Sequence, residues 1–248
     1  MQIIPVIDIM RGIAVHARRG ERSSYRPIRS VLLRGADPVA LLRAYRATLK
    51  SEAVYVADLD AIMGNGENLA VIEKMAAAEP ELELLVDAGI HNIVQSRRLL
   101  DAGVQKVIIA SESLIGVGAA SALLDALGTE KTLFSLDLKA RAVMWEEPST
   151  ESSDPVATVS RLLLLGCREV ILLRMDRIGA AGGADADELL ENVTVAAPGM
   201  RCIVGGGIAS VAELVRLRRA GASGVLLATA LHSGTITRAD LERVGAEA

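Results

Sequence analysis

The sequence predicts a single α/β domain, residues 1–248, folded as a (β/α)8 barrel, the TIM-barrel architecture. Eight short runs rich in Val, Ile and Leu recur along the chain, and helical patterns separate them. Such runs are typical of parallel strands that are buried on both faces. A length of 248 residues suits one barrel, and no Pro- or Ser-rich linker divides the sequence.

The order of the elements follows from these runs and from the helix start signals between them. Asp37-Pro38 precedes a helical pattern at 39–50, Asp154-Pro155 precedes one at 156–165, and Ser210 precedes one at 211–219. Asp or Ser is favoured before a helix because its oxygen accepts hydrogen bonds from free N–H groups, and proline suits the first helical position. The predicted strands are 3–9, 53–57, 82–86, 106–110, 132–136, 169–173, 201–204 and 224–227.

The two halves of the sequence resemble each other at a constant spacing. The segment 86–90, Val-Asp-Ala-Gly-Ile, precedes the segment 204–208, Val-Gly-Gly-Gly-Ile, by 118 positions. Ala110 precedes Ala228, and Asp58 precedes Asp176, by the same spacing. The sequence therefore predicts a two-fold half-barrel repeat.

Composition limits the partners of this chain. Aromatic residues make up 2% of the sequence, and 27 basic against 31 acidic residues give a net charge of −4. Nucleic-acid binding is not expected, since it needs aromatic stacking surfaces or a basic field. No apolar run approaches the roughly 18 residues that span a bilayer, and Cys167 and Cys202 are predicted to be buried thiols. We therefore expect a cytoplasmic protein, monomeric or homodimeric, without membrane contact.

Carboxylates at two strand ends are the predicted catalytic groups, because the reactive residues of a (β/α)8 barrel lie where strands end. Asp8 ends the first strand and Asp137 follows the fifth, on opposite sides of the barrel. Neighbouring carboxylates repel, so their pKa values separate and one can act as an acid and the other as a base. Further candidate substrate contacts at strand ends are Asp58, Asp87, Ser111, Arg174 and Asp176; helix capping is an equal alternative for Asp58 and Asp87.

A glycine-rich loop after the seventh strand is the predicted phosphate site. Gly205, Gly206 and Gly207 precede a helix, so their N–H groups are free to hold an anion, and Ala228 and Thr229 after the eighth strand complete the site. In the first half Asp87 takes the place of the first glycine. A second phosphate is therefore disfavoured there.

Several other residues have more than one interpretation, and other functions are also considered. His16 and Arg18 in the first βα loop are candidate substrate contacts, with a solvated loop as the alternative, and His232 is more typical of a structural histidine. Lys139 shares the inward face of Asp137 and is a candidate for a Schiff-base lyase or aldolase. A Mg²⁺-assisted lyase and a non-catalytic barrel subunit are the remaining alternatives. The sequence contains no dedicated cofactor or metal motif, and none is expected.

Four segments together resemble the family of histidine-biosynthesis barrels, which contains the HisA and HisF enzymes. They are Pro5-Val6-Ile7-Asp8, the segment 56–61 (Val-Ala-Asp-Leu-Asp-Ala), Phe134-Ser135-Leu136-Asp137 and the segment 205–208. The resemblance covers nearly the whole chain and implies that Asp8 and Asp137 match the acid/base pair of an Amadori rearrangement. It further implies an isomerase acting on a phosphorylated sugar derivative. Because Asp87 replaces a glycine of one phosphate site, we expect a substrate with one phosphate, not necessarily that of histidine biosynthesis.

Overall fold

The computed structural model describes residues 1–17, 25–147, 153–179 and 184–246. Eight parallel strands form a ring in the order β1-β4-β5-β6-β7-β9-β10-β11, and pairing of β11 with β1 closes it. The prediction of a TIM barrel is therefore confirmed. The strands are β1 (Gln2–Met10), β2 (Ile13–His16), β3 (Arg26–Pro27), β4 (Ala53–Asp58), β5 (Glu83–Asp87), β6 (Lys106–Ala110), β7 (Thr132–Lys139), β8 (Ala142–Val143), β9 (Glu169–Arg174), β10 (Arg201–Gly205) and β11 (Gly224–Leu227).

Helices separate the barrel strands, and the predicted start signals work as caps. Asp37 accepts hydrogen bonds from two backbone N–H groups at the start of the first helix, and Asp154 and Ser210 each cap their helices. The helices are α1 (Pro38–Ala44), α2 (Leu59–Ile62), α3 (Leu69–Ala78), α4 (Ile93–Asp101), α5 (Val117–Leu127), α6 (Pro155–Leu164), α7 (Asp187–Ala196), α8 (Val211–Arg219), α9 (Thr229–His232) and α10 (Arg238–Ala246). The pattern predicted as one helix at 39–50 instead changes at Tyr45 into a π-helical turn, Tyr45–Leu49, with Lys50 as its C-cap.

Two apolar cores lie on the two sides of the strand ring. Inward side chains from every barrel strand form the inner core, for example Ile4, Ile108 and Leu226, while the larger outer core joins the strands to the helices. Because side chains alternate along a strand, residues two positions apart share a face. This parity decides which polar side chains at the strand ends point into the mouth of the barrel.

Short antiparallel strands extend the barrel at its mouth. β2 pairs with β1, β3 pairs with β2, and β8 pairs with the end of β7. Residues 25–36 follow in the same connection and are attached to β2 by hydrogen bonds between Ile28 N and Ala14 O (3.0 Å) and between Ala14 N and Ala36 O (2.8 Å). We call residues 25–36 the first-loop segment.

Two further predictions concern buried thiols and membranes. Cys167 and Cys202 are buried free thiols, as predicted. Within the described ranges, no helix combines the length and the apolarity that crossing a membrane requires.

Candidate active site

A cavity of about 550 Å³ occupies the mouth of the barrel, at the carboxyl ends of the strands. This volume lies in the usual range for small-molecule sites. Carboxylates line one part of it, while the loops after β10 and β11 line another. The lining residues with charged or polar side chains include Asp8, His16, Tyr55, Asp87, Glu112, Asp137, Lys139, Asp176, Thr229 and His232.

Asp8 lies near the end of β1, two residues beyond the inward-facing Val6. Its side chain is half-buried, and its carboxyl group has no hydrogen-bond partner among the described residues. Burial removes water from the charged form and raises the pKa of Asp8 to about 7. The carboxyl group can therefore gain or lose a proton near neutral pH.

Asp137 stands on β7, four strands from β1 around the eight-stranded ring, and so faces Asp8 across the cavity. It is 2% exposed. The Ser135 hydroxyl donates to one carboxyl oxygen at 3.0 Å and the Glu112 N–H to the other at 3.1 Å. Burial, followed by the charges of Glu112 and Asp87, nevertheless raises the pKa of Asp137 well above its ordinary value. The protonated form of Asp137 is therefore favoured more than in an exposed carboxyl group.

Asp87 occupies the place in the first half of the barrel that corresponds to the glycine loop of the second half. The Tyr55 hydroxyl donates to its carboxylate at 3.0 Å, and the Gly89 N–H donates at 3.1 Å. Gly89 N–H is the group that an anion at this position would need, and a carboxylate already uses it. The structure thus places negative charge at this half of the mouth.

The glycine loop after β10 cannot hold larger side chains. A Cβ on Gly205 would lie 2.7 Å from the Leu173 side chain, and one on Gly206 would lie 2.4 Å from the Arg174 carbonyl oxygen. Gly206 also has φ +107°, a conformation that other residues rarely adopt. Within the described residues, the N–H groups of Gly206, Gly207 and Ile208 donate no hydrogen bond.

Ala228 and Thr229 follow β11 beside this loop and also line the cavity. The N–H groups of Thr229 and Ala230 open α9 and have no acceptor within the described residues. Two loops that line the same cavity therefore carry N–H groups without an acceptor among the described residues, and such groups hold anions in proteins. His16 of β2 reaches the same region, with its Nε2 3.2 Å from Thr229 Oγ1.

Four of the predicted site residues, Asp58, Ser111, Arg174 and the phosphate-site residue Gly205, do not line the cavity. Asp58 instead accepts hydrogen bonds from Ala61 N and from the backbone and side chain of Asn68. The Ser111 hydroxyl accepts from the Asp137 backbone N–H at 2.9 Å. Strand parity explains Asp58 and Arg174, because the residue before each points into the barrel, so each of them points outward.

The remaining predicted contacts differ in their surroundings. Asp176 lines the cavity with both carboxylate oxygens 3.2 Å from Arg174 nitrogens, and these bonds lower its pKa. Arg174 in turn donates to the carbonyl oxygens of Ala184 and Asp185. Lys139 lines the rim and is exposed, unlike the desolvated lysines that form Schiff bases. Arg18 lies outside the described residues.

Sequence reasoning missed Tyr55 and Glu112. Tyr55 is 4% exposed, points inward from the middle of β4 and lines the cavity below the carboxylates. Tyr55 lies two positions before Ala57 and so shares its inward face, but the prediction was limited to residues at strand ends. Glu112 follows Ser111 in a short turn, whose direction strand periodicity does not predict. Among the described residues no group of three or more His, Cys, Asp or Glu side chains is placed to bind a metal ion.

Known proteins resemble this chain over nearly its whole length. Residues 2–237 match the model of a family described as histidine biosynthesis protein. An uncharacterized protein of Methanocaldococcus jannaschii is 30% identical over 98% of this chain and 97% of its own length. The 1-(5-phosphoribosyl)-5-((5-phosphoribosylamino)methylideneamino) imidazole-4-carboxamide isomerases of Deinococcus radiodurans and Bacillus cereus are each 30% identical. The matches cover 95% of both chains for the first, and 98% of this chain and 97% of the relative for the second.

Proposed function

Because the chain belongs to the histidine biosynthesis protein family, whose named relatives here are isomerases, we propose that it is an aldose–ketose isomerase for a phosphorylated sugar derivative. The observation that carries this proposal is the pair Asp8 and Asp137, two carboxyl groups with raised pKa on opposite walls of one cavity. An isomerisation needs one group that donates a proton and one that accepts a proton. The isomerase class predicted from the sequence is confirmed by the named relatives.

The two pKa values suggest a division of roles for an Amadori-type reaction of an aldosylamine phosphate. Asp137, held protonated, donates its proton to the ring oxygen as the bond from that oxygen to C1 breaks, and the nitrogen lone pair forms the C1–N double bond. Asp8, ionised, removes the proton from C2 to give an enolamine. A proton then leaves the C2 hydroxyl and one is added at C1, which yields the aminoketose. The atoms of substrate and product balance, and no oxidant is needed.

The substrate of this proposal carries one phosphate. The free N–H groups of Gly206, Gly207 and Thr229 support an anion at one end of the cavity. At the other end, Asp87 uses the Gly89 N–H and adds negative charge, which opposes a second anion. A ribosylamine with a single phosphate fits this arrangement better than the bisphosphorylated carboxamide named for the relatives.

The proposal is tested by replacing each carboxyl group with its amide. Asp8→Asn and Asp137→Asn should each lower kcat/KM at least about 100-fold toward an N-(5-phosphoribosyl)amine, since each removes a proton-transfer group. Asp125→Asn, an exposed change on α5, is the matched control and should leave the rate unchanged. In the wild type, kcat/KM should rise as pH increases through about 7, where Asp8 loses its proton, and fall at higher pH as Asp137 ionises.

Two results would contradict different parts of the proposal. Full isomerisation by both amide variants would remove the roles of Asp8 and Asp137. Preferred turnover of the bisphosphorylated carboxamide by the wild type would leave the catalytic pair in place but contradict the monophosphate specificity.

A further inference from the structure

The first-loop segment and the turn after β11 meet at a buried histidine that the proposed reaction does not use. His232, at the end of α9, is 4% exposed and lines the cavity. Both of its ring nitrogens have partners: Nδ1 lies 3.0 Å from Ser30 Oγ, and Nε2 lies 3.0 Å from the Tyr45 hydroxyl. Ser30 belongs to the first-loop segment, whereas Tyr45 follows α1. Three separate parts of the chain are therefore joined at one side chain.

The directions of these hydrogen bonds can be assigned. The Tyr45 hydroxyl donates its single proton to the Val6 carbonyl oxygen at 2.9 Å, so it accepts from His232 Nε2–H. His232 Nδ1 then lacks a proton and accepts from the Ser30 hydroxyl. Burial, assisted by His16, lowers the pKa of His232 to about 4, which agrees with a neutral ring. Since both nitrogens are used, His232 is not free to act as an acid or base.

The backbone repeats this connection. The Val31 N–H of the first-loop segment donates to the His232 carbonyl oxygen at 2.9 Å, and the Ser30 hydroxyl oxygen also accepts from Leu32 N at 3.0 Å. At the other end of the same turn, His16 contacts Thr229. The first connection thus holds both ends of the four-residue stretch Thr229–His232. Thr229 and Ala230 lie in this stretch; both line the cavity, and their N–H groups have no acceptor among the described residues.

We propose that His232 is a positioning residue that couples anion binding after β11 to the conformation of the first-loop segment, through its bond to Ser30. This inference rests on the phosphate site of the proposed function. An anion that binds the N–H groups of Thr229 and Ala230 fixes the turn, and the turn fixes Ser30 and Val31 through His232. Coupling between two parts of a protein is reciprocal, so loosening the segment must weaken anion binding, and anion binding must make the segment more ordered.

The experiment uses inorganic phosphate as the probe and full-length protein. Ser30→Ala removes the hydroxyl that donates to His232, whereas Ser30→Thr keeps a hydroxyl at the same position. Ser160→Ala, which removes a hydroxyl on α6 bonded to Val156 O, is the distant control. Phosphate affinity is measured by calorimetry, the bound anion is located by amide chemical shifts, and hydrogen exchange reports on residues 28–33.

We expect Ser30→Ala to raise the Kd for phosphate about 3- to 10-fold, the effect of losing roughly one hydrogen bond. Ser30→Thr should restore most of the affinity, and Ser160→Ala should match the wild type. Phosphate should slow hydrogen exchange at residues 28–33 in the wild type but much less in Ser30→Ala. A purely structural bond would change stability without this difference in phosphate-dependent exchange.

The outcomes separate the two proposals. If phosphate does not shift the Gly206, Gly207 and Thr229 amides of the wild type, the phosphate site of the proposed function is wrong. If those amides shift, but Ser30→Ala binds phosphate with the same affinity and exchange protection as the wild type, the positioning role of His232 is wrong. Ser30 is partly exposed, so its replacement leaves the core intact and both measurements remain possible.

Discussion

Tyr55 is a neutral side chain that lies among three carboxyl groups. Its hydroxyl bonds to Asp87, and the charges of Asp87, Asp137 and Asp8 all raise its pKa, after the larger effect of burial. The phenol therefore stays protonated and acts only as a donor toward Asp87. A fixed Asp87 in turn helps to keep Asp137 protonated, because its charge raises the pKa of Asp137.

The Tyr55–Asp87 bond gives a measurable coupling energy. Tyr55→Phe should lower the free energy of unfolding by about 2 kcal/mol, since hydrogen bonds to charged groups contribute about 1.5–3 kcal/mol and phenylalanine leaves no large cavity. Asp87→Asn and the double variant complete a thermodynamic cycle measured by urea unfolding. The two changes should be non-additive by at least about 1 kcal/mol. Additive effects would mean that the hydrogen bond contributes nothing to stability.

The alternation of side chains along a strand separates the site residues that were predicted correctly from those that were not. Asp8, Asp87 and Asp137 each stand an even number of positions from an inward apolar residue, and they line the cavity. Asp58 and Arg174 stand an odd number away and have structural partners. Ser111 and Glu112 lie in a turn, where the alternation ends, so their directions depend on tertiary contacts that periodicity does not encode.

At the scale of elements, the glycine loop joins β10 to α8. Its backbone passes so close to neighbouring atoms that a side chain would not fit. Gly206 packs against the carbonyl of Arg174 at the end of the neighbouring β9, so the loop and the Arg174–Asp176 pair are built together. Glu213 of α8 adds a further tie, because its carboxylate accepts from Ala209 N and Ala184 N. The loop is thus held on both sides.

Gly206→Ala should destabilise the protein by at least about 2 kcal/mol. The new Cβ would lie 2.4 Å from a carbonyl oxygen, and alanine is strained at φ +107°. Gly118→Ala is the matched control: Gly118 lies in α5 with open space around it, so alanine should stabilise the helix by about 0.5–1 kcal/mol. Thermal and urea unfolding measure both variants. Equal stabilities of the two would contradict the close approach at Gly206.

The starts of three helices were predictable from local chemistry, whereas the end of one of them was not. Asp37, Asp154 and Ser210 cap helices as predicted because N-capping depends on residues within one turn. The change from α to π geometry at Tyr45 has no local signal. It places the Tyr45 hydroxyl between Val6 O and His232, 187 residues away, and only the folded chain specifies that partner.

For the whole molecule, the raised pKa of Asp8 lowers the free energy of unfolding above acidic pH. The folded state holds the Asp8 proton up to about pH 7, whereas the unfolded chain releases it near the ordinary value of 3.8. Folding therefore binds a proton between these pH values, and the free energy of unfolding falls as pH rises from about 4 to 7. His232 acts in the opposite direction, because its folded pKa of about 4 makes stability rise with pH toward 6.5.

Asp8→Asn isolates the contribution of Asp8, since the contribution of His232 cancels in the comparison. We expect the free energy of unfolding of the variant, relative to the wild type, to increase steadily between pH 4 and 7 and then to level off. Urea unfolding across this pH range measures the difference. Parallel curves for the two proteins would show that Asp8 is not destabilised by burial.

The fold itself was predictable at this scale, because eight apolar runs of strand length, separated by capped helices, fit few architectures. The repeat at a spacing of 118 also indicated where the halves differ in charge, because it aligns Asp87 with Gly205. Gly205 and Asp87 occupy equivalent strand ends, yet one faces apolar side chains and the other holds a carboxylate. A single substitution in one copy of a repeat can change the charge of a site while the backbone keeps its course.

That divergence gives the barrel mouth a polarity. A perfectly symmetric mouth would accept a ligand with two similar ends in either of two orientations, and in the proposed reaction only one of them would present the reacting carbon to Asp8. With Asp87 at one end and free N–H groups at the other, the reversed orientation brings an anion against a carboxylate. For the proposed function, this polarity would favour one orientation of the ligand before any proton moves.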